Sequence, residues 1–217
     1  MSDVLAVFLK RPSPGEVKTR LIPALGPEAA AALYRAMAEE TLRRTVPGRY
    51  ARRIFFSPAE AAAEIAGWLP GERCTPQAGG GLGERMSRAF EETAADGARR
   101  TVLIGTDLPW ITRERIDAAR AALAPHDVAL GPSADGGYYL VALREPQPAL
   151  FEGIAWSTPN VYAATLARAR GLGLSVLSLP EERDVDTVED VRACWPALRG
   201  LLRDWATAGA IERRLHS

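Results

Sequence analysis

The chain has 217 residues, and its 27 Lys and Arg side chains balance 27 Asp and Glu side chains. This length suits one α/β domain with a large buried core, and the zero net charge argues against a protein that binds nucleic acid through a broad basic face. The two cysteines, Cys74 and Cys194, form no CxxC motif and no disulfide framework, so we expect a reduced, cytoplasmic chain.

Segments typical of strands and helices alternate along the chain. Apolar and β-branched runs predict strands over 3–10, 52–57, 73–77, 101–107, 126–133, 136–143 and 174–180. Amphipathic, alanine-rich segments predict helices over 27–46, 58–69, 81–96, 112–123 and 158–173, and one or two helices, broken near Pro196, over 187–208. No run is long enough for a membrane span and the N-terminal run is too short for a signal peptide, so we expect no membrane partner.

This order of elements predicts the fold class. Strands that alternate with helices indicate an α/β protein with a mostly parallel sheet flanked by helices on both faces. The loop between residues 128–131 and 138–143 is too short for a helical crossover, so one strand of the pair is expected to run antiparallel and make the sheet mixed. Without a repeat or a long linker, residues 1–217 are interpreted as a single domain.

The loop after the first predicted strand is rich in cations. Lys10, Arg11, Lys18 and Arg20 surround a turn shaped by prolines and Gly15. Ligands of open α/β sheets sit outside the carboxyl ends of the strands, and lysine and arginine neutralise phosphate charge there. The loop matches neither the Walker A motif nor G-x-G-x-x-G. We interpret it as a nucleotide-binding loop, with a solvated basic surface as the alternative.

Acidic residues follow two other predicted strands. Asp107 lies in "GTDLPW", where a carboxylate can hold a divalent cation that bridges two phosphates or can simply complete a turn. In "RDVDTVED", Thr187 and Asp190 fit a helix capping box. Asp184 and Asp186 precede that helix in an extended segment, so only one of the two is expected to face a site.

Two further stretches have structural explanations that compete with functional ones. The segment "GPSADGGYYL" fits a tight hairpin turn, although Asp135 could face an acceptor. In "WSTPN", Ser157 or Thr158 is expected to cap a helix that has Pro159 in its first turn.

Six stretches together resemble the DUF2064 family of nucleotide-diphospho-sugar transferases. They are "FLKRPSPGEVKTRL", "LGERM", "GTDLPWIT", "GPSADGGYYLVAL", "WSTPNV" and "RDVDTVEDV", and they occur in order between residues 4 and 192. The resemblance implies a GT-A-like fold and a cytoplasmic enzyme. The same superfamily contains phospholactate guanylyltransferase and molybdenum-cofactor guanylyltransferase.

The resemblance also implies roles for particular residues. Mg²⁺ or Mn²⁺ would be held by Asp107 and Asp186, with Lys18, Arg20 and Asp135 as the catalytic residues. The nucleotide would be bound by Lys10, Arg11, Gly15, Lys18, Arg20, Gly83 and Arg85. Related chains usually carry acids where this one has Gly81, Trp110 and Ala134, and the change at position 110 argues against a two-acid DXD clamp.

Two reactions fit these expectations. Our main interpretation is a metal-dependent glycosyltransferase that moves a sugar from a nucleotide sugar to a small-molecule acceptor. The alternative is a guanylyltransferase-like nucleotidyltransferase that joins a nucleoside triphosphate to a phosphorylated small molecule and releases pyrophosphate. A non-catalytic nucleotide-binding protein is the third reading. No nucleic-acid partner is expected, and the sequence does not indicate the oligomeric state.

Overall fold

A computed structural model describes residues 3–202 and 205–215. The chain forms one seven-stranded sheet in the order β3-β2-β1-β4-β6-β5-β7. Its strands are β1 (Asp3–Lys10), β2 (Tyr50–Ser57), β3 (Cys74–Pro76), β4 (Thr101–Ile104), β5 (Val128–Pro132), β6 (Tyr138–Leu143) and β7 (Val176–Ser178). β6 runs antiparallel to both of its neighbours, whereas all other pairs are parallel. The predicted α/β class and mixed sheet are confirmed.

Eight α-helices surround the sheet in the described residues. They are α1 (Ile22–Leu25), α2 (Pro27–Arg44), α3 (Ala62–Trp68), α4 (Leu82–Ala95), α5 (Arg113–Ala122), α6 (Val161–Gly171), α7 (Val188–Arg199) and α8 (Trp205–Leu215). Short 3-10 turns lie at Thr19–Leu21, Ala59–Ala61 and Pro148–Phe151. Within residues 3–202 and 205–215, no helix combines the length and the hydrophobicity that crossing a membrane requires.

The central strand β1 is buried on both faces. Its Leu5, Val7 and Leu9 belong to the apolar cluster on one face of the sheet, and Ala6 belongs to the cluster on the other face. This explains why its sequence is continuously apolar rather than alternating, as expected for a strand covered on both sides. A third apolar cluster joins α1, α2, α7 and α8 beside the sheet.

The structure corrects two local predictions. The C-terminal helical segment does not break at Pro196, because α7 continues through that residue to Arg199 while Trp195 and Leu198 pack into the third cluster. Neither Ser157 nor Thr158 caps α6, which begins at Val161, since the Thr158 hydroxyl donates instead to the carbonyl of Ala155 at 2.8 Å. The predicted capping box of Thr187 with Asp190 at the start of α7 is confirmed, and Thr112 caps α5.

Candidate active site

A cavity of about 540 Å³ opens at the carboxyl ends of β1 and β4. Its walls include the loop that follows β1, the loop that follows β4 and the start of α4. Among the predicted site residues it is lined by Lys10, Lys18, Arg20, Arg85, Asp107 and Asp186. The fold therefore brings together side chains that lie as far as 176 positions apart (186 − 10) at the edge where open α/β sheets bind ligands.

Lys18 lies at the centre of the ionic part of this cavity. Its ammonium is 2.5 Å from Asp107 Oδ1 and 3.3 Å from Asp186 Oδ1, and it also donates to the carbonyl oxygen of Val185. The Lys18 side chain is only 3% exposed, whereas those of Asp107 and Asp186 are 48% and 39% exposed. Lys18 is thus a buried cation between two carboxylates that face the cavity.

The charge of Lys18 is maintained by these neighbours. Burial alone would lower the pKa of Lys18, because desolvation disfavours the ammonium. The charges of Asp107 and Asp186 outweigh burial, and the pKa of Lys18 is raised above its ordinary value. The side chain therefore stays protonated at neutral pH and can neutralise anionic groups in the cavity.

The local backbone explains how Lys18 reaches this place. Lys18 has φ 46°, in the left-handed region that non-glycine residues seldom occupy. Its neighbours Val17 and Leu21 are buried and anchor the loop on either side. Among the described residues, the only other non-glycine residue with positive φ is Ser157, at φ 62°, and it lines the same cavity. Such backbone strain concentrates at functional sites.

The other cations of the loop are arranged differently. Arg20 donates to Asp186 at 2.8 Å, and its largely exposed side chain reaches over the cavity. Arg11 is engaged by Glu16 at 3.1 Å and Glu64 at 3.0 Å and does not line the cavity. Gly15 sits in the turn at φ +85°, which favours glycine.

Asp184 adds a third carboxylate near Asp107. Burial, together with the charges of Asp107 and Asp135, raises the pKa of Asp184 to about 7, against opposing effects of Ser133 and Lys18. Asp184 Oδ1 is buried and has no hydrogen-bond partner of standard geometry among residues 3–202 and 205–215. An unpartnered buried carboxylate oxygen is costly to maintain and fits a group that binds a cation.

These carboxylates fit a divalent cation that shares its ligands with a substrate. In the part of the chain that the structure describes, no three His, Cys, Asp or Glu side chains form a metal-binding group by themselves. Mg²⁺ is usually held by one or two carboxylates together with water and substrate phosphates. Asp107 with Asp184 or Asp186 would provide the protein's share of such a site, and Asp184 was the alternative that sequence reasoning left open.

The start of α4 lies on another wall of the cavity. Gly83 is buried against Trp156, where a Cβ atom would come within 2.8 Å of the indole nitrogen, so glycine is required for packing. The Arg85 guanidinium donates to the carbonyl of Gly80 at 2.8 Å and lines the cavity. Gly81 is the exposed residue that precedes the helix, and its N–H donates to Glu84.

Asp135 and Trp110, two further positions considered from the sequence, both have structural contacts. Asp135 Oδ1 accepts a hydrogen bond from the N–H of Gly137 at 2.9 Å, which stabilises the turn before β6. Its charge acts on Asp184, although Asp135 does not line the cavity. Trp110 packs against two of the apolar clusters, so this position carries a structural side chain in place of an acid.

Sequence reasoning missed the buried Tyr34, which also lines the cavity. The Tyr34 hydroxyl accepts from the N–H of Lys10 at 2.7 Å and from the Thr106 hydroxyl at 3.3 Å. It thereby ties the ends of β1 and β4 to α2. Burial raises the pKa of Tyr34 above its ordinary value, so the phenol remains neutral. No motif marks this residue, because it lies in an ordinary alanine-rich helix.

Comparisons with known proteins identify a family and several relatives of this chain. The profile of the family described as "Uncharacterized protein conserved in bacteria (DUF2064)" matches residues 41–158. A protein named phosphoenolpyruvate guanylyltransferase from Sphaerobacter thermophilus is 30% identical over 199 residues, which cover 88% of this chain and 91% of the relative. A protein of the same name from Chloroflexus aggregans is 30% identical over 189 residues, which cover 81% and 89%.

Solved structures are similar over 91–100% of the chain. A "putative nucleotide-diphospho-sugar transferase" from Desulfovibrio desulfuricans G20 is 34% identical with a TM-score of 0.89, and the match covers 100% of this chain and 98% of that one. A 4-diphosphocytidyl-2C-methyl-D-erythritol synthase from Anaerococcus prevotii shares the fold at 9% identity, with a TM-score of 0.58 and coverage of 91% and 99%.

The chain is therefore an enzyme of the transferase class. The names of the curated relatives support the nucleotidyltransferase alternative better than the glycosyltransferase interpretation. The family profile spans more than half of the chain and agrees with the resemblance carried by the six motifs. The chain belongs to the DUF2064 family.

Proposed function

We propose that this chain transfers a guanylyl group from GTP to the phosphate of a small phosphorylated acid such as phosphoenolpyruvate. A phosphate oxygen of the acceptor attacks the α-phosphorus of GTP. The bond from the α-phosphorus to the bridging oxygen breaks, and pyrophosphate leaves with that electron pair. The buried ammonium of Lys18, beside carboxylates that face the cavity, is the observation that carries this proposal.

The cations of the chain would act on the charge of the leaving group. Lys18 is fixed by three oxygen contacts, so it provides a preorganised positive charge at the phosphates. Arg20 is more exposed and can turn from Asp186 toward a phosphate. Lys10 lies at the rim of the cavity and would supply a weaker, solvent-screened attraction.

The acids would hold a divalent cation, Mg²⁺ or Mn²⁺. When bound, this ion would neutralise phosphate charge and polarise the phosphorus–oxygen bonds. Asp107 lies at the carboxyl end of β4, and the N–H of Val185 donates to its backbone carbonyl at 2.9 Å. This bond keeps Asp184 and Asp186 beside Asp107, so the two segments present their carboxylates to the same region.

Ser157 would bind the acceptor at the cavity wall, and Asp135 would act from outside that wall, through its charge on Asp184. Ser157 lines the cavity in a strained conformation, and its exposed hydroxyl can donate to an anionic substrate. Asp135 is exposed and lies in the turn between β5 and β6. We place the acceptor on this side because the opposite side of the cavity is formed by the segment between β3 and α4.

Glycosyl transfer is the second candidate, supported by the name of the 34% identical protein from Desulfovibrio desulfuricans. The two reactions use the same phosphate site but release different products. A nucleotidyltransferase binds a nucleoside triphosphate, whereas a glycosyltransferase binds a nucleotide sugar and releases a nucleoside diphosphate.

A thermal-shift screen tests the choice of donor. GTP, the other three nucleoside triphosphates and a set of nucleotide sugars are each added with Mn²⁺ or with EDTA. A ligand at ~100 times its Kd should stabilise the chain by about 2.7 kcal/mol. We expect Mn²⁺-dependent stabilisation by GTP that exceeds that by any nucleotide sugar. Stabilisation by a nucleotide sugar alone would favour glycosyl transfer.

A further inference from the structure

The cavity extends from its ionic part toward the segment between β3 and α4. Gln77 follows β3 directly and lines the cavity there. Asp107 follows β4, and the sheet order places β2 and β1 between β3 and β4. At about 4.8 Å per strand, β3 and β4 are roughly 14 Å apart. The base and the phosphates lie at opposite ends of a nucleoside triphosphate, so phosphates at Lys18 leave the base on the side of Gln77.

The side chain of Gln77 is held in one orientation. Its Nε2 group donates to the carbonyl of Phe55 at 3.0 Å and to the carbonyl of Leu9 at 3.4 Å. Its backbone N–H donates to the carbonyl of Phe56 at 2.7 Å. Carbonyl oxygens only accept hydrogen bonds, so these contacts fix which end of the amide is the nitrogen.

The side-chain amide oxygen of Gln77, Oε1, accepts no hydrogen bond within the described residues. Neither donor bond uses Oε1, and no residue in 3–202 or 205–215 donates to it. The Arg85 side chain fixes the carbonyl of Gly80, which steadies the glycine-rich segment next to Gln77. Leu82 is 44% exposed and lines the cavity, so an apolar surface is available beside this oriented acceptor.

We propose that Gln77 recognises the nucleotide base, with its Oε1 accepting a hydrogen bond from the N1–H or the 2-amino group of guanine. This inference rests on the proposed guanylyl transfer and identifies the part of the site that binds the base. Gln77 is a binding residue in this account and takes no part in bond making. The Leu82 side chain covers one side of the ring.

The test compares GTP with inorganic triphosphate, which lacks the base. Their affinities are measured by calorimetry with Mn²⁺ for the wild type, for Gln77→Leu and for Gln147→Leu. Gln147 is the other glutamine of the chain and does not line this cavity. In Gln77→Leu we expect GTP affinity to fall on the order of 10-fold, with triphosphate affinity unchanged. The control should match the wild type for both ligands. A fall in both affinities, or in neither, overturns the assignment.

Nucleotide analogues test the same contact without a substitution. Inosine triphosphate lacks the 2-amino group, and 1-methylguanosine triphosphate lacks the N1–H. At least one of them should bind the wild type more weakly than GTP. Equal binding of both analogues and GTP overturns the role of Gln77 but leaves guanylyl transfer in place. A wild type that binds neither GTP nor triphosphate rejects the proposed function and the base assignment together.

Discussion

The ammonium of Lys18 lies 2.5 Å from the carboxylate of Asp107, although the two residues are separated by 89 positions (107 − 18). The lysine is buried and the aspartate is half exposed, so the pair presents a carboxylate to the cavity while keeping its cation beneath it. Lys18 therefore balances the charge of the same carboxylates that would hold the divalent cation in the proposed function.

Replacing Lys18 should change the affinities for metal and for nucleotide in opposite directions. Lys18→Met keeps the length of the side chain but removes the charge between Asp107 and Asp186. We expect Mn²⁺ to bind this variant more tightly than the wild type without nucleotide, and GTP to bind more weakly. Electron paramagnetic resonance of free Mn²⁺ measures the first effect and calorimetry the second. Lys10→Met, at the exposed rim, should leave metal affinity unchanged. Equal Mn²⁺ affinity in all three proteins would contradict this account.

Because the pKa of Asp184 is raised, we expect the stability of the folded chain to depend on pH. Its pKa of about 7 in the folded chain exceeds the ordinary value of 3.8, so the folded state binds the proton more tightly than the unfolded state. The free energy of unfolding should therefore fall as pH rises from about 4 to about 7, by at most about 1.4 kcal/mol per pH unit. Asp184→Asn cannot ionise and should gain stability relative to the wild type across this range. Urea denaturation in EDTA measures the difference, and a constant difference would show that Asp184 is not buried as described.

Asp186 and Asp190 are four positions apart but contact different groups. Asp190 accepts from the N–H groups of Thr187 at 2.9 Å and Asp186 at 3.2 Å, as a capping box requires. Asp190→Ala should lower the free energy of unfolding by about 0.5–2 kcal/mol and leave Mn²⁺-dependent GTP affinity unchanged. Asp186→Ala removes the contacts to Lys18 and Arg20 and should weaken that affinity. If Asp190→Ala instead weakens Mn²⁺-dependent GTP affinity and Asp186→Ala only lowers stability, the assigned roles are wrong.

A buried ion cluster far from the cavity predicts a stability effect without a binding effect. Asp3 is 5% exposed and pairs with Arg100 at 2.8 Å and with Arg120 at 2.5 Å. Burial would raise the pKa of Asp3, but the two arginines lower it below its ordinary value of 3.8. Asp3→Ala should cost about 3–5 kcal/mol of unfolding free energy at pH 7, because it removes the buried carboxylate that Arg100 and Arg120 share and leaves Arg120 with Asp117 as its remaining acidic partner.

The sign of the pH effect at Asp3 follows from its lowered pKa. Its contribution is present above pH 3.8 and is lost as pH falls through the lower folded value. The stability gap between wild type and Asp3→Ala should therefore narrow below about pH 3.8. Asp117→Ala, which removes a more exposed partner of Arg120, should cost less. If the difference in unfolding free energy between the wild type and Asp3→Ala did not change with pH, it would contradict the ion pairs of Asp3 with Arg100 and Arg120.

The sequence predicted the cation loop and Asp107 because their residue types directly follow a buried strand. It could not predict that the ammonium of Lys18 contacts both Asp107 and Asp186, since Lys18 has a left-handed backbone conformation that its residue type does not indicate. The stretch around Ser157 fits a helix cap equally well, so the sequence could not predict that Ser157 lines the cavity. Gln77 carried no signal, because its role depends on the direction in which two distant carbonyls fix its amide.

The most direct test of guanylyl transfer is to identify the products by phosphorus NMR and mass spectrometry. Purified chain is incubated with GTP, phosphoenolpyruvate and Mn²⁺, with Asp107→Asn as the matched control that keeps the shape of the side chain but loses its charge. The account predicts that the wild type forms pyrophosphate and a guanylylated acceptor in equal amounts, and that the control forms neither. Release of guanosine diphosphate from a GDP-sugar, with no pyrophosphate from GTP and any phosphorylated acceptor, would contradict it.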